Sequence, residues 1–292
     1  MILLITMEAY MKKVYSFLII IFILLASIPS NAEQPDVNAI IKKVKSAWDA
    51  RPVSFKVTII VKDGERITGE MVAGAAHKSF PDGRRLLIVI LEPESLKGLA
   101  YLLNNLDTKL SEQWMYLPYI DRVRKIDGMS NYENFLSTDF TFADLALLDI
   151  QNDNYKYLGE EEVGGIKAYK IESTSKIPNY YYSKIITWIA KDSSQILRRD
   201  YYSPNNSLWK RQLYENLTLV NGLLIPLRIR VMDLQHKTST ELNISEIDAD
   251  ITLPNEIFVP EQLKYSLKCP VWQKVCYPQD VTVPINKNIK AK

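Results

Sequence analysis

Asp139 and Asp144 stand five residues apart in the stretch STDFTFADL, residues 137–145. Two carboxylates at one site are what glycoside hydrolysis uses, one as general acid and the other as base or nucleophile. With 34 acidic residues in 292, however, such pairs arise by composition alone. Both aspartates also have simpler uses. Asp144 follows Thr141 by three positions, as in a capping box with Asp in place of Glu, and Asp139 is a natural turn acceptor. The two histidines, His77 in GAAHKSF and His236 in DLQHKTS, read as loop residues. No G-x-S-x-G elbow offers them a serine, and no G-x-x-x-x-G-K-[ST] loop cradles a phosphate. Two His and two Cys cannot assemble a His-rich zinc centre or a four-cysteine site. The sequence therefore predicts a non-enzyme with no metal, no cofactor and no catalytic residue.

The elements that position these groups belong to a globular chain. A composition of 47% hydrophobic and 24% charged residues excludes a disordered, collagen-like or polytopic membrane protein. Lys plus Arg number 36 against 34 Asp plus Glu, a net +2, too even for a surface that displaces counterions from nucleic acid.

Residues 1–32 read as a signal peptide. Lys12 and Lys13 precede the apolar run Val14 to Ile28, and Ser30-Asn31-Ala32 follow it. That core is near the length boundary between a cleaved signal and a spanning helix, so a retained anchor is the alternative. A mature chain starting at Glu33 is exported, and an oxidising compartment favours a disulfide between Cys269 and Cys276 over two free thiols. Six intervening residues do not make a C-x-x-C redox motif. Residues 33–265 read as one domain, and 266–292, with three prolines and a Lys-rich end, as a tail.

Val37, Ile40, Ile41, Val44 and Trp48 recur at helical spacing behind Asp36 as N-cap. From Val53 the period changes to two, and strand-like runs recur to about residue 248. Asp63-Gly64, Asp82-Gly83, Gly164-Gly165 and Asn221-Gly222 supply turns between several of them. Ten to twelve strands in series predict a mainly β (α+β) antiparallel meander, broken by a short helix with Leu145 and Leu148 on its apolar side. Two short helices cannot cover such a sheet on both faces. One face meets solvent, and the other encloses a side-chain core or a cavity roofed by the helices.

Residues 92–145 carry four pieces in order: Pro93, Lys97 and Gly98 as P-x-x-x-K-G; Trp114, Tyr116, Leu117 and Pro118 as W-x-Y-L-P; the basic run Arg122 to Ile126; and Ser137, Asp139, Phe140, Asp144 and Leu145 as S-x-D-F-x-x-x-D-L. In this the chain resembles the outer-membrane lipoprotein-sorting proteins of the LolA-like family. Family members commonly have Gly-Ser-Asp-Phe where this chain has Ser137-Thr138-Asp139-Phe140. The resemblance implies an unclosed antiparallel half-barrel with short helices as a lid over an apolar concave face. It also implies a bacterial, periplasmic carrier that binds acyl chains of a lipoprotein or related lipid and moves it from the inner toward the outer membrane. A periplasmic sensor or accessory protein of the same fold, binding a membrane regulator or transporter, and an envelope hydrolase are the alternatives.

For a carrier, the candidate cavity wall is Phe55, Val57, Ile59, Trp114, Tyr116, Ile186, Trp188, Leu227, Ile229 and Val231, each of which also suits ordinary core packing. Ile40, Val44, Trp48, Leu145 and Leu148 are candidate lid residues. Arg122 and Arg124 are candidates for a headgroup or partner contact, or else form a solvated strand face. The expected partners are acyl chains, an inner-membrane transporter, an outer-membrane acceptor and, transiently, a membrane surface, met by a monomer.

Overall fold

Asn221 and Gly222 have φ of 48° and 84°, the paired left-handed conformation that a two-residue type I′ hairpin requires. Gly164 and Gly165 repeat it at 58° and 83°. Turns of this kind send a strand back beside its predecessor, and every strand after the first pairs with its predecessor except Asp153–Val163. The computed structural model describes residues 34–48, 51–106, 111–145, 153–178, 180–269 and 271–272. The expected signal peptide, Leu148 and Cys276 lie outside the described residues, as does the side chain of Trp48.

Among the described residues, thirteen strands follow helix α1 (Val37–Trp48): β1 (Val53–Asp63), β2 (Arg66–Phe80), β3 (Gly83–Glu92), β4 (Ala100–Leu106), β5 (Glu112–Leu117), β6 (Arg122–Ile126), β7 (Asp153–Val163), β8 (Ile166–Ser175), β9 (Lys184–Ala190), β10 (Ile196–Tyr202), β11 (Leu208–Val220), β12 (Leu223–Asp233) and β13 (Thr238–Asp248). They form one antiparallel sheet in the order β6-β5-β4-β3-β2-β1-β13-β12-β11-β10-β9-β8-β7. The expected ten to twelve strands become thirteen. His77 is also corrected, since it lies inside β2 rather than in a loop, whereas His236 does occupy a turn.

The edges β6 and β7 do not pair with each other, so the sheet is an unclosed half-barrel. Its first and last strands are neighbours at the centre, with Val57 opposite Ile244 and Ile59 opposite Leu242. The chain walks outward from β1 to one edge, crosses to the other, and walks back. The crossover after Ile126 must therefore span the trough, and its described part lies on the inner face. There Phe135 and Phe142 join a cluster with Val57, Ala73, Ile90, Tyr101 and Met115. The second short helix, α2 (Phe142–Leu145), belongs to this crossover.

Helix α1 covers the inner face nearer the other edge. Asp36 caps it, its Oδ1 accepting from the backbone N–H of Asn38 at 2.9 Å and of Ala39 at 3.3 Å. Ile40, Ile41 and Val44, one helical stripe, pack on Ile171, Ile189 and Ile196. Each such buried side chain contributes roughly 1.5–3 kcal/mol of burial. Arg84 on β3 donates through Nη1 to the carbonyl of Lys45 at 2.9 Å, which holds the last turn of α1 toward the opposite half of the sheet.

The expectation that one sheet face meets solvent needs correcting. Over β2 to β5 the outer face is covered by the 3-10 turns Asn255–Phe258 and Pro260–Lys268 and by Trp272, with Leu253, Phe258, Leu263 and Trp272 packed against Ala76, Leu87, Ala100 and Leu102. A Cβ added at Gly74 would lie 2.3 Å from the Trp272 ring, so that glycine is what admits the indole. The boundary expected at residue 265 falls inside the second of these 3-10 segments.

Candidate functional site

At the centre of the inner face is a cavity of about 200 Å³, where a single water needs only about 10–15 Å³. Strand pairing generates its wall. Residues opposite one another across antiparallel strands share a face, so rows run across the sheet. One row carries Ile229, Leu242 and Ile59, the next Ile244, Val57 and Ala73, and a third Phe55, Ala75 and Ile88. All of these line the cavity. Ala73 and Ala75 are small where their neighbours are large, which leaves the space open. Phe135, Phe140 and Leu145 from the crossover form the roof.

Four of the ten candidate wall residues, Phe55, Val57, Ile59 and Ile229, face this space. Leu227 and Val231 follow the same alternation on β12 but are not among the lining residues, and Val231 is buried at 1% exposure. Trp114 and Tyr116 point the other way, onto the outer-face cluster. Ile186 and Trp188 pack with Ala168, Ala190 and Leu197, also on the outer side. Trp188 is large and apolar yet suits that face because Arg198 and Lys170 cover its ring, at 4.2 and 5.2 Å from the centroid, and its Nε1 donates to Glu161 at 3.0 Å.

Of the candidate lid residues, Ile40 and Val44 are buried under α1, and Leu145 lines the cavity. Arg122 and Arg124 lie on the exposed edge strand and do not line it. Arg124 is engaged by Ser130 Oγ at 2.6 Å and by Glu133 at 3.2 Å, within the crossover itself.

The S-x-D-F-x-x-x-D-L stretch clasps the roof to the sheet. Thr141 and Asp144 form the reciprocal box, the Thr141 N–H donating to Asp144 Oδ2 at 2.8 Å and the Asp144 N–H to Thr141 Oγ1 at 3.2 Å. Asp144 also accepts from the Tyr182 hydroxyl at 2.7 Å and meets Lys210 Nζ at 3.3 Å, both members of that ion pair buried. Lys210 donates as well to the Asp139 carbonyl at 2.9 Å. The Asp139 carboxylate accepts from Thr238 Oγ1 at 2.5 Å and Thr240 Oγ1 at 2.7 Å on β13. Both aspartates are thus fully used in holding the crossover down.

Polar groups also enter the cavity wall, among them His77, Arg84, Arg199, Gln212 and Tyr214. Burial, and then the Arg84 charge, hold His77 down to about 4, so it is neutral at pH 7. Arg199 is buried at 7% exposure, its guanidinium 5.1 Å from the Tyr201 ring centroid. Sequence reasoning passes over Ala73, Ala75, Leu242 and Ile244. The alternation of VAGAAHK with the adjacent strands is the signal that picks out the alanines, but only once the register is known.

Among the described residues no helix is long and apolar enough to cross a membrane, and no cluster of His, Cys, Asp and Glu suits a metal ion. Cys269 is buried on the outer face.

An unclosed antiparallel half-barrel roofed by a crossover and a short helix is the fold of the outer-membrane lipoprotein-sorting, LolA-like proteins. A putative outer-membrane lipoprotein-sorting protein domain from Vibrio parahaemolyticus matches with a TM-score of 0.72 at 22% identity, over 78% of this chain and 97% of that one. A DUF1329 family protein from Desulfovibrio piger matches with a TM-score of 0.72 at 24% identity, over 77% and 97%. A LolA superfamily protein from Nitrosomonas europaea matches with a TM-score of 0.58 at 21% identity, over 76% and 96%. The chain belongs to the family whose model, described as an uncharacterized protein, matches residues 82–265. No curated protein matches it.

Proposed function

We propose that this protein is a periplasmic carrier that takes the acyl chains of a lipoprotein or a related lipid into its central cavity and moves them from the inner toward the outer membrane. The observation that carries this reading is the cavity itself, lined mostly by apolar side chains at the middle of an unclosed sheet. Each methylene exposed to water costs about 0.8 kcal/mol, so a hydrocarbon chain crossing an aqueous space needs such cover. The described part of the roof is held by the packing of Phe135 and Phe142 and by a cluster of polar contacts around Asp139 and Asp144, non-covalent contacts that suit a guest that must leave again. The solved structures of similar fold, one described as a lipoprotein-sorting protein domain and another as a LolA superfamily protein, support the same reading.

Export through the signal-like residues 1–32, and transient contact with a membrane surface, an inner-membrane transporter and an outer-membrane acceptor, belong to the same proposal. Native mass spectrometry of the gently purified protein tests it. The expected result is a population carrying lipid mass; consistent absence of bound lipid, even after coexpression with an exporter, overturns it.

A further inference from the structure

The cavity holds a cation without a counter-ion. Arg199 projects from β10 into the apolar wall and is more than nine-tenths buried. Its Nε is buried without a hydrogen-bond partner, and among the described residues no carboxylate forms an ion pair with it. Around it stand the neutral phenols of Tyr201, Tyr214 and Tyr180, and the negative charge it senses is the carboxylate of Asp144. Asp144 is already engaged by Lys210 and Tyr182. Other buried or half-buried arginines in the sheet are satisfied differently. Arg84 donates to a helix carbonyl, and Arg198 and Arg211 both reach Asp200 on the outer face.

The Tyr214 hydroxyl is a neutral hydrogen-bond partner for this guanidinium, but a guanidinium stays protonated at any ordinary pH, and burying one without a counter-ion is costly. In a wall built mostly of Ala, Ile, Val, Leu and Phe, that cost has a use if the guest brings the missing charge. We infer that Arg199 is a binding residue for the anionic head of an amphiphile, a carboxylate or phosphate on an alkyl chain, whose hydrocarbon lies along Val57, Ile59 and Ile229. This rests on the acyl-carrier reading and adds the polarity of the guest to it. Tyr214 and Gln212, in the same wall, are hydrogen-bonding groups beside that head.

The test is equilibrium dialysis of the delipidated protein with three probes of one chain length: dodecanoate, dodecyl phosphate and the uncharged dodecanol, all below their micellar concentrations. At least one anion is expected to bind about tenfold or more tightly than dodecanol, as charge-assisted hydrogen bonds in a dry site provide. Whichever anion is preferred distinguishes a carboxylate from a phosphate head. Arg199→Met is expected to bind all three like dodecanol, and Arg199→Lys to keep part of the preference. Equal affinity for the anions and dodecanol in the native chain overturns the anionic site while leaving the acyl carrier intact. Persistence of the preference in Arg199→Met overturns the assignment to Arg199. Failure of all three probes to bind overturns both readings.

Discussion

Asp144 of the crossover and Lys210 of β11 meet at 3.3 Å with side chains only 2% and 3% exposed. Breaking a buried pair by removing one partner leaves the other charge stranded. Asp144→Ala is therefore expected to lower unfolding free energy by about 3–5 kcal/mol. The double change Asp144→Leu with Lys210→Met removes both charges and is expected to lose much less. Urea unfolding of the two variants gives the comparison; equal losses would mean that the pair is not what secures the roof.

Trp272 and Gly74 make a second testable contact. Gly74→Ala puts a methyl group into the indole and is expected to cost about 1–3 kcal/mol, as overpacking does. Because the clash is with Trp272 alone among the near atoms, Gly74→Ala in a Trp272→Ala background is expected to cost almost nothing further. A cost that persists in that background would place the strain in the strand instead.

His77 gives the domain a pH dependence whose sign is fixed by its environment. Its folded pKa of about 4 lies below the ordinary 6.5. Between those values the unfolded chain binds a proton that the folded one refuses, so stability falls as pH drops through that window. From pH 7.5 to 5 the His77 share is roughly 2 kcal/mol. Chemical denaturation at both pH values is expected to show a smaller difference in His77→Gln than in the native protein. An unchanged difference would remove His77 as the source.

Ile229 lines the cavity, whereas Trp188 lies on the other face of the same sheet. Ile229→Trp fills the space and is expected to reduce bound lipid and dodecyl-chain binding by about tenfold or more, the loss of roughly two buried methylenes. Trp188→Phe is expected to leave binding unchanged. Native mass spectra and dialysis read both, and a loss in Trp188→Phe matching that in Ile229→Trp would detach binding from this cavity.

Much of the architecture could be read before any coordinates. Turn pairs such as Asn221-Gly222 demand their conformation locally, the α1 stripe follows helical spacing, and Thr141 with Asp144 announces a capped turn; each is a short-range rule. What could not be read depends on long-range facts. Period two tells which residues share a face but not which face is inside, so the pattern allows Trp114 and Trp188 on the wall although they pack outside. The inner wall instead relies on Ala73 and Ala75 for its space. The outer cover escaped notice because 3-10 turns such as Pro260–Lys268 carry no sustained apolar period. Arg199 sits beside Arg198 in sequence, and ordinary strand alternation turns the two to opposite faces, Arg198 opposite Trp188 and Arg199 opposite Thr187; which of those faces is inside is set by the whole sheet.

The ladder joining β1 to β13 ties Ser54 to Asp248, across nearly the whole length of the domain. Hairpins on either side can form from neighbouring segments, but this seam waits for the end of the chain to arrive, and long-range pairing of that kind is slow. Until it zips, the two meanders are separate ribbons and no compartment exists between them. The hollow is thus a property of the joined halves, and neither ribbon alone contains it.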